Sequence, residues 1–219
     1  KLEREFVDGL SALSAGRSST TTITEPVDTS RRSVGPHVSG IIHDIAIEMG
    51  LLRRQPVNAS PLPIAEFDAN EFPQGARMMM AMGFIWEDII GYHLAKSQGV
   101  QPGQFECIRD GIIGTPDKFN VIFGEIDEFK ATWISTSNDI TGERFWRWWA
   151  QVRAYCWMVG VTNANIYALH INGDYKPPVP DPRVYSARFT VDELKRNWIL
   201  IVNHNQSMIN KKGEWWTKP

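Results

Sequence analysis

A Gly114-Thr115-Pro116-Asp117 turn, followed eleven residues after that Asp by Glu128-Phe129-Lys130, constrains this chain more than any other stretch. Gly and Pro so close together interrupt regular structure and leave Asp117 at a strand-end turn. Along the strand that follows, side chains alternate between faces, so Glu128 and Lys130 point one way and Phe129 the other. An acid at the turn with a Glu/Lys pair on one face of the next strand can hold a divalent cation beside a phosphodiester.

Acid-any-Lys triplets are cheap, and about one is expected by chance in a chain of this composition. Two others occur. Asp174-Tyr175-Lys176 runs straight into Pro177-Pro178, a loop signal. Glu193-Leu194-Lys195 sits just inside a helix start, Thr190-Val191-Asp192-Glu193, that reads as a capping box, so a solvated helical pair explains it. Only Glu128 and Lys130 lie in a strand-like run with an upstream acid at a Gly/Pro turn, and a structural ion pair is the competing reading there.

At 219 residues, 42% apolar and 11% aromatic, the chain can bury a real core and suits one domain with elaborations. A net charge of −2 gives no overall positive field, so any nucleic-acid contact must come from local patches. Cys107 and Cys156 alone cannot build a four-thiolate metal site and are weak grounds for a disulfide. No apolar run reaches the roughly 18 residues needed to span a bilayer, and no signal peptide is legible. A cytoplasmic location without membrane contact is expected.

Residues 1–36 read as an N-terminal arm or linker, rich in Ser, Thr, Gly and Arg between 11 and 36, and residues 37–219 as a single domain. Val38, Ile41, Ile42, Ile45 and Met49 recur at helical spacing behind a Ser39 cap. Residues 74–98 read as a long helix whose Met78 to Met82 cluster belongs to the core. On it Gly83, Glu87, Ile90, Gly91 and Leu94 share a broad face, so another backbone or a ligand can approach the Glu87 carboxylate; a surface glutamate beside Asp88 is the plain alternative. Residues 105–117 and 121–133 look like paired strands joined by a turn at Lys118 to Asn120.

Residues 141–160 form the next predicted helix. At 100° per residue Arg144, Arg147, Gln151 and Tyr155 lie within an arc of about 80°, opposite Trp146, Ala150, Trp157 and the stem of Arg153. Two cations, an amide and a phenol on one stripe can grip phosphates and a sugar or base, or be merely the wet side of a buried aromatic helix. Core packing is the better account of Trp146, Trp148, Trp149 and Trp157. Strands are expected at 165–171 and 183–190, with a proline-rich loop between them and a helix from Val191 to about Asn210; His170 and His204 read as structural. Neither a Walker-type phosphate loop nor a Gly-x-Ser-x-Gly elbow occurs, which removes support for nucleotide hydrolysis and serine esterase chemistry.

Glu87 on a helix, Gly114-Thr115-Pro116-Asp117, Glu128-Phe129-Lys130 and Gln151-x-x-x-Tyr155, in that order, resemble the motifs of the PD-(D/E)XK nuclease superfamily. The Gln-x-x-x-Tyr element is similar to that of the branch holding RecB-type nuclease domains and phage lambda-type exonucleases. The resemblance covers about residues 75–160. It implies an α/β (α+β) fold with a restriction-endonuclease-like core, a mixed β-sheet flanked by helices. It also implies a metal-dependent deoxyribonuclease acting on linear duplex DNA from its ends, in phage or bacterial recombination or repair. In that frame Asp117, Glu128 and the Phe129 carbonyl would bind Mg²⁺ or Mn²⁺, two ions in all, with Glu87 as an outer or second-metal ligand. Lys130 would orient or help deprotonate the attacking water, and Gln151, Tyr155, Arg144 and Arg147 would contact DNA. Carboxylate oxygens suit such ions, which keep waters and lower their pKa.

The resemblance has two departures. Many members of the branch carry a His in the first motif, whereas here His93 follows Glu87 by six residues and is a secondary candidate; and two cysteines imply an enzyme without an iron–sulfur cluster. A homo-oligomer and a single-strand annealing partner are family-level expectations. Arg31-Arg32, Arg53-Arg54 and Lys211-Lys212 are further phosphate contacts or solvated surface pairs. A structure-specific or single-strand endonuclease, and an inert DNA-binding protein on a nuclease fold, are the alternative functions.

Overall fold

A computed structural model describes residues 22–26, 33–52, 105–177 and 179–216, together with Met82, Gly83, Ile85, Trp86 and Ile89. It is an α/β (α+β) fold with two sheets and three main helices. The smaller sheet is antiparallel, in the order β1 (Thr22–Pro26), β2 (Phe105–Arg109), β3 (Ile112–Gly114). The larger is mixed, in the order β4 (Lys118–Asn120), β5 (Glu125–Thr132), β6 (Asn163–His170), β7 (Asp181–Arg188). β5 and β6 run parallel because α2 (Trp146–Val159) makes the crossover between them, and β4 and β7 flank them antiparallel. The outer helices are α1 (Val38–Glu48) and α3 (Val191–Trp216).

All three helices pack on one another over one core. Val38, Ile41, Ile42 and Ile45 of α1 belong to one buried cluster with Ile126 and Ile166 of the mixed sheet, Met158 of α2, and Leu194 and Trp198 of α3. The predicted capping box is present at the start of α3. Thr190 N–H donates to Glu193 Oε2 (2.7 Å), and Glu193 N–H returns to Thr190 Oγ1 (3.2 Å). His170 is buried, with Nδ1 2.7 Å from the Ile134 carbonyl and Nε2 2.9 Å from the Tyr185 hydroxyl, which is a structural role.

Several boundaries differ from the sequence reading, each for a physical reason. Lys118 to Asn120 is not a turn but strand β4, with Lys118 and Asn120 buried and paired in register with Asp127 and Glu125. The chain reverses instead at residues 121–124, where Val121, Ile122 and Phe123 are exposed and Gly124 takes a φ of 63°. The stretch read as one strand over 105–117 is a hairpin, reversed at Asp110-Gly111 with φ of 51° and 72°, the backbone that two-residue hairpin turns require. α1 begins behind His37, which makes no side-chain cap, so Ser39 lies inside the first turn. β7 starts at Asp181, within the proline-rich segment, and α3 continues to Trp216. Within the arm, Thr22–Pro26 adds a strand to β2. The described residues of the predicted 74–98 helix are helical, except that nothing is described between and around them, and Glu87, His93 and Met78 to Ala81 lie outside the described residues.

Candidate active site

The β4–β5 hairpin sets the site. Its register pairs Lys118 with Asp127, and one further step of the same antiparallel register sets Asp117 opposite Glu128. Asp117 closes the hairpin end with its side chain: the Phe129 N–H donates to Asp117 Oδ2 at 2.7 Å. Period-two alternation then divides β5. The Phe129 ring packs with Trp86 and Leu169 on one face and lies edge-on to Tyr167 at 5.7 Å, whereas on the other face Lys130 Nζ donates to Glu128 Oε1 at 2.5 Å.

Glu128 is only 1% exposed, while the Lys130 side chain is 20% exposed, so the pair runs from the core outward to solvent. One carboxylate oxygen of this pair is unsatisfied: Glu128 Oε2 is buried with no hydrogen-bond partner. Burial, and then the charge of Asp117, push the Glu128 carboxyl up to about 8 against the pull of Lys130 and of the Asp117 backbone N–H. Burial alone would lower Lys130, but the Glu128 and Asp117 carboxylates outweigh it and hold the ammonium protonated above its ordinary range.

α2 brings the second half of the site. Burial first, and then the charge of Glu128, hold the Tyr155 phenol well above its usual value. Its hydroxyl accepts a hydrogen bond from Gln151 Nε2 at 2.8 Å. Arg147, half-buried, lies near enough for its charge to oppose protonation of Lys130, and its Nε is buried without a hydrogen-bond partner. The structure thus brings together Asp117, Glu128, Lys130, Arg147, Gln151 and Tyr155. Arg144 sits exposed on the 3₁₀ turn Glu143–Phe145 that precedes α2. Tyr155 belongs to the core rather than to a wet stripe.

A divalent cation fits this donor set. Two neighbouring carboxylates, Asp117 raising the proton affinity of Glu128 and Glu128 carrying a buried oxygen without a partner, are stabilised by added positive charge, and hard oxygen donors suit Mg²⁺ or Mn²⁺. Among the described residues no group of three or more His, Cys, Asp or Glu side chains converges on one point, so the described part of the set is the Asp117/Glu128 pair. Cys107 and Cys156 are buried free thiols, each pushed up to about 12 chiefly by burial, which makes them poor ligands. Among the described residues no helix is long and apolar enough to cross a membrane.

The sequence reading gave no role to Arg153, Trp146 and Trp149 beyond packing, yet they line an open groove on the other side of α2. The signal available was the Arg153 stem placed among tryptophans, a cation on an aromatic stripe.

No protein-family model matches the chain, and no curated protein matches it. Among solved structures the chain is similar to the crystal structure of SSO0001, at 12% identity over 95% of this chain and 86% of that one, with a TM-score of 0.48. It is also similar to a phage related exonuclease from Haemophilus somnus 129PT, at 11% identity over 80% of this chain and 83% of that one, with a TM-score of 0.43.

Proposed function

We propose that this chain is a metal-dependent deoxyribonuclease that hydrolyses phosphodiester bonds from the ends of linear duplex DNA, in phage or bacterial recombination or repair. The observation that carries the reading is the orphaned Glu128 Oε2, buried beside Asp117 with Lys130 alongside. Asp117, Glu128 and the Phe129 carbonyl would hold Mg²⁺ or Mn²⁺, two ions with Glu87 as the outer ligand. The ion would supply Lewis-acid stabilisation of phosphate oxygens and acidify a bound water.

The chain's own residues account for the remaining work. Lys130, protonated and partly exposed, places a compact charge where the scissile phosphate gains negative charge, and it orients the attacking water. Arg147 offers a fork to the phosphate on the solvent side of the carboxylates. Gln151 is fixed by the Tyr155 hydroxyl, so its amide meets the DNA backbone in one orientation. Arg144 adds a phosphate contact from the 3₁₀ turn. A ring-shaped oligomer and a single-strand annealing partner complete the proposal.

The deciding experiment incubates the protein with linear duplex, circular duplex and single strands, with Mg²⁺, Mn²⁺ or EDTA. Mononucleotide release from linear duplex alone, abolished by EDTA, is expected. Nicked circles would mean an endonuclease instead, and binding without cleavage in either metal would mean an inert DNA-binding protein.

A further inference from the structure

A groove of about 520 Å³ opens between α2 and β7, which stands at the edge of the mixed sheet. Trp146, Trp149 and Arg153, which line it, lie roughly 140–160° around the helix from Gln151, so it is separate from the carboxylates. The two faces meet at the first turn of α2, where Trp146 and Arg147 are adjacent. Across the sheet, Glu128, Ile166 and Tyr185 are in register on three neighbouring strands, which sets the groove about 10 Å from the candidate active site.

Its lining is a set of rings around one cation. Trp149 stands edge-on to Phe189 with centroids 6.2 Å apart, and the Arg153 guanidinium lies 5.1 Å over the Phe189 ring. Tyr185 spends its hydroxyl on His170 and leaves its ring to the groove. Arg153 Nε is buried without a hydrogen-bond partner. A guanidinium whose Nε lacks an acceptor and whose charge Glu193 balances only at a distance, set among π-faces, matches a ligand carrying both an anion and a flat ring.

The edge strand argues against a peptide as that ligand. Pro182 removes a backbone donor from β7, and the Arg183/Asp181 pair (2.8 Å) guards the same end, two features that discourage strand addition. A nucleic-acid strand needs no backbone ladder.

We propose that this groove holds a base and phosphate of a single DNA strand, the base stacked on Trp146 and the phosphate on Arg153. The proposal rests on the nuclease reading only for naming DNA as the ligand. The test is fluorescence anisotropy in EDTA with labelled short oligo-dT and an abasic strand of equal length. Wild type is expected to bind oligo-dT roughly ten-fold more tightly. Trp146→Leu and Arg153→Gln should each weaken oligo-dT binding about five- to ten-fold, and Trp146→Phe, which keeps a ring, should recover most of it, with circular dichroism confirming the fold of each. Equal wild-type affinities for the two strands would overturn the proposal whatever the variants do. So would a Trp146→Leu protein that keeps its base preference but loses a wild-type self-association, since the groove would then be an interface between copies. Duplex cleavage assayed in parallel separates the two readings: base preference without any cleavage removes the nuclease and keeps the groove, and cleavage without base preference removes the groove alone.

Discussion

Replacing Glu128 with Gln should abolish cleavage and at the same time stabilise the metal-free protein at alkaline pH. Glu128 is 1% exposed, and burial with the neighbouring Asp117 charge raises its carboxyl from 4.5 to about 8. The folded pKa lies above the unfolded one. Its contribution to stability is therefore complete below about 4.5 and lost as pH rises through about 8. At 1.36 kcal/mol per unit, a shift of that size sets a ceiling of roughly 5 kcal/mol. Glu128 titrates together with Asp117 and Lys130, so the measurable share is about 1–3 kcal/mol. The assay is urea unfolding in EDTA at about pH 5 and about pH 8.5. Asp127 is also raised by burial and tilts both proteins the same way, so the difference between wild type and Glu128→Gln cancels its share and leaves that of Glu128 with the groups it titrates with. Wild type should lose more stability than the variant across that range, and Mg²⁺ should restore wild type more at the higher pH, where protons no longer compete for the carboxylates. Identical pH slopes in the two proteins would refute the assignment of Glu128 as the buried, charge-starved carboxylate.

Lys130→Ala should abolish cleavage while leaving folding and most DNA affinity intact; near-normal turnover in that variant removes Lys130 from the mechanism. Gly114→Ala places a Cβ 2.6 Å from Met158 Sδ and 3.1 Å from Cys107 Sγ, so thermal unfolding should show a loss of about 1–3 kcal/mol from overpacking just before the Thr115-Pro116-Asp117 turn. Unchanged stability would mean that Met158 swings aside freely. Thr190→Ala removes the capping box that opens α3 and should cost about 0.5–2 kcal/mol with no change in kcat, since the cap lies away from the carboxylates.

The parts of the fold legible from sequence were those governed by periodicity. Alternation along Glu128-Phe129-Lys130 sorted two polar side chains to one face and a ring to the other, and the structure has that division. The capping box at Thr190 was legible because its two bonds are local. Polarity misled where burial and exposure exchange their usual residues. Lys118 and Asn120 resemble a turn but are buried in β4, whereas the exposed reversal is built from Val121, Ile122 and Phe123. Hydropathy alone cannot show that, because long-range packing compensates a buried Lys and nothing local marks it. The helical wheel placed Gln151 and Tyr155 on one stripe, and the two are hydrogen-bonded to each other, but it could not show that Tyr155 is buried in the core. The arc assumed a continuous α-helix through Arg144, whereas Glu143–Phe145 is a 3₁₀ turn whose tighter winding changes the angle of Arg144 about the axis.

The account depends on Asp117 and Glu128 sharing a cation. A crystal structure of the protein soaked in Mn²⁺, with anomalous data at the manganese edge, tests this directly. The account predicts a peak within coordination distance of Asp117 and of the now unpartnered Glu128 Oε2. A saturating soak with no peak between those two carboxylates, and Lys130 still the only charge bound to Glu128, would contradict it.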